Sequence, residues 1–288
     1  MADITQAGIF SKPNAAAAPA VLRTLLDWLD RRGVRVRMDE NTAAYADGAA
    51  HGLSREEVPE GTQIVIVLGG DGTLLSAARA VGDREIPLFA VNLGSLGFLT
   101  AITIDEFIPE LERFFNGERK ISKRRMLHAD LERAGNISAR YGALNDVVVT
   151  KASIARMIEV EVLINRHKMC TYRADGLIVC SPTGSTAYSL AAGGPIVFPT
   201  VEAVCITPIC PHMLTNRPVI VPSDVEITIV NQAPDESAYL TVDGQVGEPL
   251  QQGDRIHFRR TAHFIHLVRP PHMSFFDVLR QKLKWGET

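Results

Sequence analysis

Apolar and polar positions follow two different rhythms along this chain, and the change falls near Lys120. In the first part, strand-like runs take turns with helical ones. Residues 4–10 read as a strand. Residues 15–32 carry Val21, Leu22, Leu25, Leu26 and Leu29 at spacings of three and four, which puts them on one helix face. Gly33 ends that helix, and residues 34–38 form a second strand. Residues 64–68, Ile-Val-Ile-Val-Leu, hold four β-branched side chains and no charge, the pattern of a strand buried on both faces. Residues 87–91 make another short apolar strand, and residues 104–115 return to helical spacing. This alternation predicts a mostly parallel sheet covered by helices, with ligands bound beyond the carboxyl ends of its strands.

After Lys120 the helical period nearly vanishes. Residues 126–132, 146–150, 158–164, 177–180, 225–230, 239–242, 256–260 and 264–268 read as strands, and helical spacing survives only near 186–191. Residues 274–284 are a final helix with Phe275, Val278, Leu279 and Leu283. The expected organisation is an α/β domain over 1–120, a β-rich domain over 121–269, and a last helix in 270–288 that packs back on the first domain.

Composition narrows the picture modestly. At 288 residues the chain can bury roughly 75% of the surface its unfolded form exposes, so it needs no disulfide or metal staple. A net charge of −3 argues against a general nucleic-acid partner. No apolar run approaches the roughly 18 residues of a membrane span, and the alanines at 15–18 lack the cationic lead of a secretory signal. The four cysteines form no Cys-x-x-Cys pair, so reduced, packed thiols and a cytoplasmic setting are expected. His263 and His266 lie three apart in a strand-like run, which turns them to opposite faces.

The chemistry begins where the strand 64–68 runs into Gly69-Gly70-Asp71-Gly72-Thr73. Three glycines allow a sharp turn and close approach of a ligand to the main chain. The following residues favour a helix with Thr73 or Ser76 near its start, and a helix N-terminus offers unpaired N–H donors and a partial positive charge to phosphate. Asp71 would be costly in such a cradle unless it takes a proton or meets a cation, so the turn points to phosphoryl transfer. No Lys-Ser or Lys-Thr closes it as in a Walker loop, and the Gly-x-Gly-x-x-Gly spacing is absent. A plain strand-to-helix turn remains the alternative.

A second cluster lies in the β-rich part. Asn145-Asp146 precedes an apolar strand, as does Arg173-Ala174-Asp175-Gly176. Residues 181–189, Ser-Pro-Thr-Gly-Ser-Thr-Ala-Tyr-Ser, then combine hydroxyls with glycine. Short donors and acceptors of this kind suit a base, a ribose or a phosphate, and they equally suit a helix-capping turn.

Taken together, these segments resemble the bacterial NAD kinase family. The likeness runs through residues 8–13 (Gly-Ile-Phe-Ser-Lys-Pro), the glycine turn, residues 93–99, Asn145-Asp146, residues 175–195, Pro211-His212, Arg217-Pro218 and residues 242–245 (Val-Asp-Gly-Gln). The long stretch 175–195 is the specific part, because diacylglycerol-type lipid kinases and phosphofructokinases share a similar glycine turn. The resemblance implies a Rossmann-like N-terminal domain with a β-rich C-terminal domain. It implies transfer of the γ-phosphoryl of ATP to the 2′-hydroxyl of the adenosine ribose of NAD, with magnesium as the divalent metal. It also implies a homodimer or homotetramer whose dinucleotide site is partly shared between subunits.

The same resemblance assigns roles. Asp71 matches the proton acceptor, and Gly72 lies beside the bound dinucleotide. Asn145 and Asp146 match residues that grip the adenosine half. Arg156, Arg173, Asp175, Thr183, Thr186, Ala187, Tyr188, Ser189, Leu190, Ala191 and Gln245 match other dinucleotide contacts. Arginine at 173 goes with preference for NAD over NADH. No protein ligand to the metal is implied. Two alternatives stay open at this point: a lipid kinase with the same turn, and a non-catalytic NAD or NADP sensor.

Overall fold

A computed structural model describes residues 4–46, 52–152, 156–234 and 237–286. The chain divides into two compact units, 1–123 with 265–288, and 124–264.

In unit 1 the order is β1 (Gln6–Ser11), α1 (Ala18–Asp30), β2 (Arg35–Met38), α2 (Glu40–Ala43), β3 (Ile64–Leu68), α3 (Asp71–Val81), β4 (Pro87–Val91) and α4 (Phe107–Phe115). The strands lie in the order β2-β1-β3-β4, all parallel. Ile9, Ile64, Ile66, Leu68 and Phe89 pack with Leu22, Leu25 and Leu29 of α1 and with Phe107, Leu111 and Phe114 of α4. Trp28 joins this face, although a stripe drawn through Leu26 leaves it out. Every residue of β3 is buried, as its charge-free sequence requires. Helix α3 begins at Asp71, two residues before Thr73, with Gly70 as its cap.

Unit 2 is built from most of β5 (Ile121–Arg133), β6 (Asn136–Ala143), β7 (Asp146–Lys151), β8 (Ile158–Ile164), β9 (His167–Ala174), β10 (Gly176–Cys180), α5 (Tyr188–Ala191), β11 (Ala203–Ile209), β12 (Val219–Pro222), β13 (Ile227–Asn231), β14 (Ala238–Val242), β15 (Val246–Leu250) and most of β16 (Arg255–Val268). One antiparallel sheet runs β12-β11-β10-β7-β14-β15. In a second layer β13 lies between β16 and β8, β8 pairs with β9, and β5 joins β16 to β6. Side chains of both layers, among them Leu127, Val149, Val160, Leu177, Ile206, Ile229, Leu240 and Phe258, form one core. The segments 256–260 and 264–268, which read as two strands, are one strand here, whose His266 and Leu267 pair in parallel with β4 in unit 1. The break in the pattern comes from Arg259, Arg260, Ala262 and His263, all exposed, between the buried Phe258 and Ile265.

Helix α6 (Phe275–Leu283) belongs to unit 1. Ser274 and Asp277 form a reciprocal capping box at its start, and it buries Val278 and Leu279. Among the described residues no helix is long and apolar enough to cross a membrane. Cys180 and Cys205 are buried and Cys170 is half-buried, whereas Cys210 is exposed and so is not a packed thiol.

Candidate functional site

In unit 1 the carboxyl ends of β3 and β4 lie side by side, with the Gly69 N–H donating to the Val91 carbonyl at 2.9 Å. The turn 69–72 therefore faces the loop that leaves β4. Asn92 gives that loop its shape: its Nδ2 donates to the Ser95 carbonyl at 2.7 Å and to Thr100 Oγ1 at 3.0 Å, and its Oδ1 accepts the Gly94 N–H at 2.8 Å. The loop then presents three successive N–H groups to one carboxylate. Asp71 Oδ2 accepts from Phe98 at 2.8 Å, and Oδ1 accepts from Leu99 at 3.1 Å, Thr100 N at 3.0 Å and Thr100 Oγ1 at 2.9 Å.

Glycine makes this approach possible. A Cβ at residue 97 would lie 2.0 Å from Asp71 Oδ1 and 2.4 Å from Thr100 Oγ1. A Cβ at residue 69 would lie 2.3 Å from Thr73 Oγ1, so the turn itself needs glycine there. Gly72 is exposed on the first turn of α3. A carboxylate offers about four lone-pair sites. Four bonds, three of them on Oδ1, leave acceptor room on Oδ2 alone. Asp71 is half-buried, so that room is reachable.

Unit 2 contains a second carboxylate held in the same way. Asp243, in the turn between β14 and β15, accepts the N–H groups of Leu144 at 3.1 Å, Asn145 at 2.8 Å and Asp146 at 3.2 Å. Asp146 is buried beside it. Burial first, and the Asp243 charge second, push the Asp146 carboxyl up to about 7. Asn145, Asp146, Ala187, Tyr188, Thr241 and Asp243 are among the residues lining a cavity of about 260 Å³. Asn145 and Asp146 come together with Ala187 and Tyr188 because the loop after β10 folds back on the start of β7. The Ser181 N–H donates to the Asn145 carbonyl at 2.9 Å, and Gly184 passes so close that its Cβ would lie 2.1 Å from that oxygen.

Four hydroxyls of this loop are engaged within the protein. Ser181 donates to the Leu144 carbonyl at 2.5 Å, Ser185 to the Pro182 carbonyl at 2.7 Å and Thr186 to the Thr183 carbonyl at 3.2 Å. Ser189 pairs with Thr207 at 2.9 Å. Thr183 is buried, Leu190 is half-buried, and Tyr188 and Ala191 are exposed.

The other sequence candidates lie elsewhere in unit 2. Arg156 and Arg173 line a separate cavity of about 570 Å³ with Met157, Glu159, Gln232 and Ser237. Arg173 stands opposite Glu159 in the β8–β9 register. Asp175 pairs with Lys151 at 2.7 Å and lines neither cavity. Gln245 is exposed in the turn after β14. Asp243, Thr100 and Arg269, whose Nη1 donates to the Leu99 carbonyl at 2.9 Å, contribute to these arrangements without having been singled out by the sequence. Asp243 is part of the Val-Asp-Gly-Gln run, which was the available signal.

The chain matches the model of the ATP-NAD kinase N-terminal domain over residues 7–119 and that of the ATP-NAD kinase C-terminal domain over residues 144–270. It is 58% identical over 284 residues to an NAD kinase of Solibacter usitatus, covering 99% of each chain. It is 49% identical to an NAD kinase of Geobacter sp. strain M21, covering 97% of this chain and 98% of the relative. Among solved structures it resembles yeast NADH kinase complexed with NADH, with a TM-score of 0.92 and 25% identity, covering 100% of this chain and 90% of that one. A similar fold occurs in an NAD kinase from Archaeoglobus fulgidus in complex with ATP, with a TM-score of 0.77 and 23% identity, covering 97% of this chain and 98% of that one.

Proposed function

The chain belongs to the ATP-NAD kinase family and phosphorylates NAD with ATP to give NADP, and on that premise we propose that Asp71 orients the reacting ribose hydroxyl and takes its proton. One observation carries the assignment. Asp71 stands on the first turn of α3, directly beyond β3, with its carboxylate fixed by the 98–100 backbone and with acceptor room on Oδ2. NADP differs from NAD by a phosphate on the 2′ oxygen of the adenosine ribose. The 2′ oxygen therefore forms a bond to the γ-phosphorus, the bond from that phosphorus to the β,γ-bridging oxygen breaks, and ADP leaves. The hydroxyl proton passes to Asp71 Oδ2. Such transition states are loose, so catalysis is mainly positioning, and the proton moves late. The N–H groups at the start of α3 suit the phosphates.

In unit 2, Asn145, Asp146, Ala187 and Tyr188 are assigned to one portion of the dinucleotide, on the strength of their shared cavity. Asp146 carries a proton for much of the time near neutral pH, so it can donate as well as accept a hydrogen bond. Arg156 and Arg173 are assigned to another portion, and Arg173 to discrimination between NAD and NADH. Thr186 and Ser189 also hold the loop in shape through their hydrogen bonds, and they, with Thr183, Leu190, Ala191, Asp175, Gly72 and Gln245, keep the contacts implied by the family.

Among the described residues no three His, Cys, Asp or Glu side chains come together, and Asp71 has most of its acceptors engaged. This donor set fits a magnesium ion carried by the ATP phosphates and water. When bound, the ion neutralises phosphate charge. A homodimer or homotetramer working in the cytoplasm completes the reading.

The test is Asp71→Asn. Binding of NAD should stay within about threefold, while turnover falls about 10³-fold, within the range for loss of a positioned base. Near-normal turnover would remove Asp71 from the mechanism.

A further inference from the structure

We propose that Arg269 is a positioning residue for phosphoryl transfer, holding Asp71 in place through the Leu99 peptide. The inference rests on the reading of Asp71 given above. Arg269 follows the last residue of β16, and its backbone N–H donates to the Lys120 carbonyl at 2.9 Å. Its side chain turns inward and is only 6% exposed. Nη1 donates to the Leu99 carbonyl at 2.9 Å. The N–H of the same residue donates to Asp71 Oδ1 at 3.1 Å. One residue of the loop is thus gripped from both sides, by a guanidinium on its C=O and by a carboxylate on its N–H.

Three features make this more than a packing contact. Burying a guanidinium is unfavourable, and burial indeed draws Arg269 below its ordinary range, while the Asp71 charge acts in the opposite sense. The two ionised groups therefore interact as well as sharing a residue. Next, both hydrogen bonds to Leu99 are charge-assisted, and such bonds hold geometry more firmly than neutral ones. Finally, Leu99 lies between Phe98 and Thr100, whose N–H groups supply the remaining backbone bonds to Asp71. A shift of the Leu99 carbonyl moves the whole set of donors. The carboxylate would then lose the orientation that leaves Oδ2 open to the ribose hydroxyl. Arg269 itself makes no contact with the reacting atoms in this scheme.

The test is an epistasis experiment on the full-length protein. Arg269→Met and Arg269→Lys are made in the wild-type background and in the Asp71→Asn background. The kcat and the KM for NAD and for ATP are measured, and thermal midpoints are recorded in parallel. In the wild-type background Arg269→Met should lower kcat by about 10- to 100-fold, the scale of a misplacement near 1 Å. Both KM values should stay within about threefold, since ground-state binding is untouched. Arg269→Lys keeps the charge and one donor, and should recover part of the loss. In the Asp71→Asn background the same substitutions should change the residual kcat by less than about twofold, because two residues acting as one unit are non-additive.

Unchanged kcat in Arg269→Met overturns the proposal. So does an equal fall of kcat in both backgrounds, which would mean that Arg269 acts independently of Asp71. A rise in KM with kcat intact also overturns it. If Arg269→Met does not fold at the assay temperature, Arg269→Lys carries the same comparison in both backgrounds. Near-normal turnover of Asp71→Asn alone marks failure of the parent reading; a crippled Asp71→Asn with an inert Arg269→Met marks failure of this inference alone.

Discussion

Gly97→Ala puts the geometry around Asp71 to a sharp test. The added methyl would sit 2.0 Å from Asp71 Oδ1, 2.4 Å from Thr100 Oγ1 and 2.7 Å from Asp71 Cγ. Contacts of that length do not occur, and a tolerable separation of about 3 Å requires the carboxylate or the loop to move by roughly 1 Å. Oδ1 accepts three of the four bonds that fix Asp71, so either movement breaks the set. Charge-assisted bonds contribute about 1.5–3 kcal/mol each when buried. Asp71 is half-buried and water replaces part of what is lost, so a total loss of about 1–3 kcal/mol follows. With Asp71 as the proposed base, the effect on turnover is larger, about 100-fold, because the carboxylate is misplaced by the same ångström. Gly94→Ala is the internal control for stability. Its Cβ meets nothing closer than Asn92 Oδ1 at 4.0 Å, and the change should cost less than about 0.5 kcal/mol. Urea unfolding gives the stabilities, and a coupled ADP-release assay gives kcat. Wild-type kcat in Gly97→Ala, or equal instability of the two variants, would refute the argument.

Other consequences follow from unit 2. The Asp146 carboxyl is raised from 3.8 to about 7, so the folded state binds a proton that the unfolded state releases across that interval. The contribution of this group is therefore neutral below about pH 4, becomes destabilising as pH rises to about 7, and is constant above it. Asp146→Asn should gain stability relative to wild type by about 2–4 kcal/mol more at pH 8 than at pH 4, measured by denaturant unfolding, and a flat difference would contradict this. Asp243→Ala strips the acceptor from three backbone N–H groups and should destabilise the fold by about 3 kcal/mol or more; a loss under about 1 kcal/mol would mean that water replaces the carboxylate. Arg173→Ser should raise the rate with NADH relative to NAD, and an unchanged ratio would free Arg173 of that role. Native thiol titration should show one fast phase, from exposed Cys210, that Cys210→Ser abolishes.

The parts of the fold legible in the sequence are those where burial itself writes the pattern. Strand β3 is apolar at every position because both faces are covered, and the stripe of α1 is spaced for one packed face. The elements that escape a reading by pattern have other causes. β6 is mostly exposed or half-buried and, among the described residues, paired with β5 alone, so its residues carry little alternation. β9, β12 and β15 also lie at sheet edges, where backbone pairing rather than side-chain burial holds the strand. β11 is an apolar run interrupted by Pro208, a residue that argues against a strand between two neighbours, yet it pairs with both β10 and β12. Helix α3 starts before Thr73 because glycine caps it without a side chain, and propensity favours a hydroxyl at that place.

The site was legible as residue types but not as an arrangement, and the reason is separation along the chain. Asp71 finds its donors 27 to 29 residues away, and Arg269 reaches Leu99 across 170. Asp243 finds its donors 97 to 99 residues away. Each unit fixes one aspartate by the same means, three successive backbone N–H groups pointed at one carboxylate. The two aspartates differ in what is left over. Asp243 is buried, and its charge is turned to raising a neighbour, Asp146. Asp71 is half-buried and keeps acceptor room on Oδ2, while Arg269 donates to the Leu99 carbonyl of the loop behind it. A carboxylate so fully engaged has little freedom to swing and little to reorganise when a hydroxyl arrives. It can fix the direction of that hydroxyl before it need take the proton, which is the order of events a loose phosphoryl transfer requires.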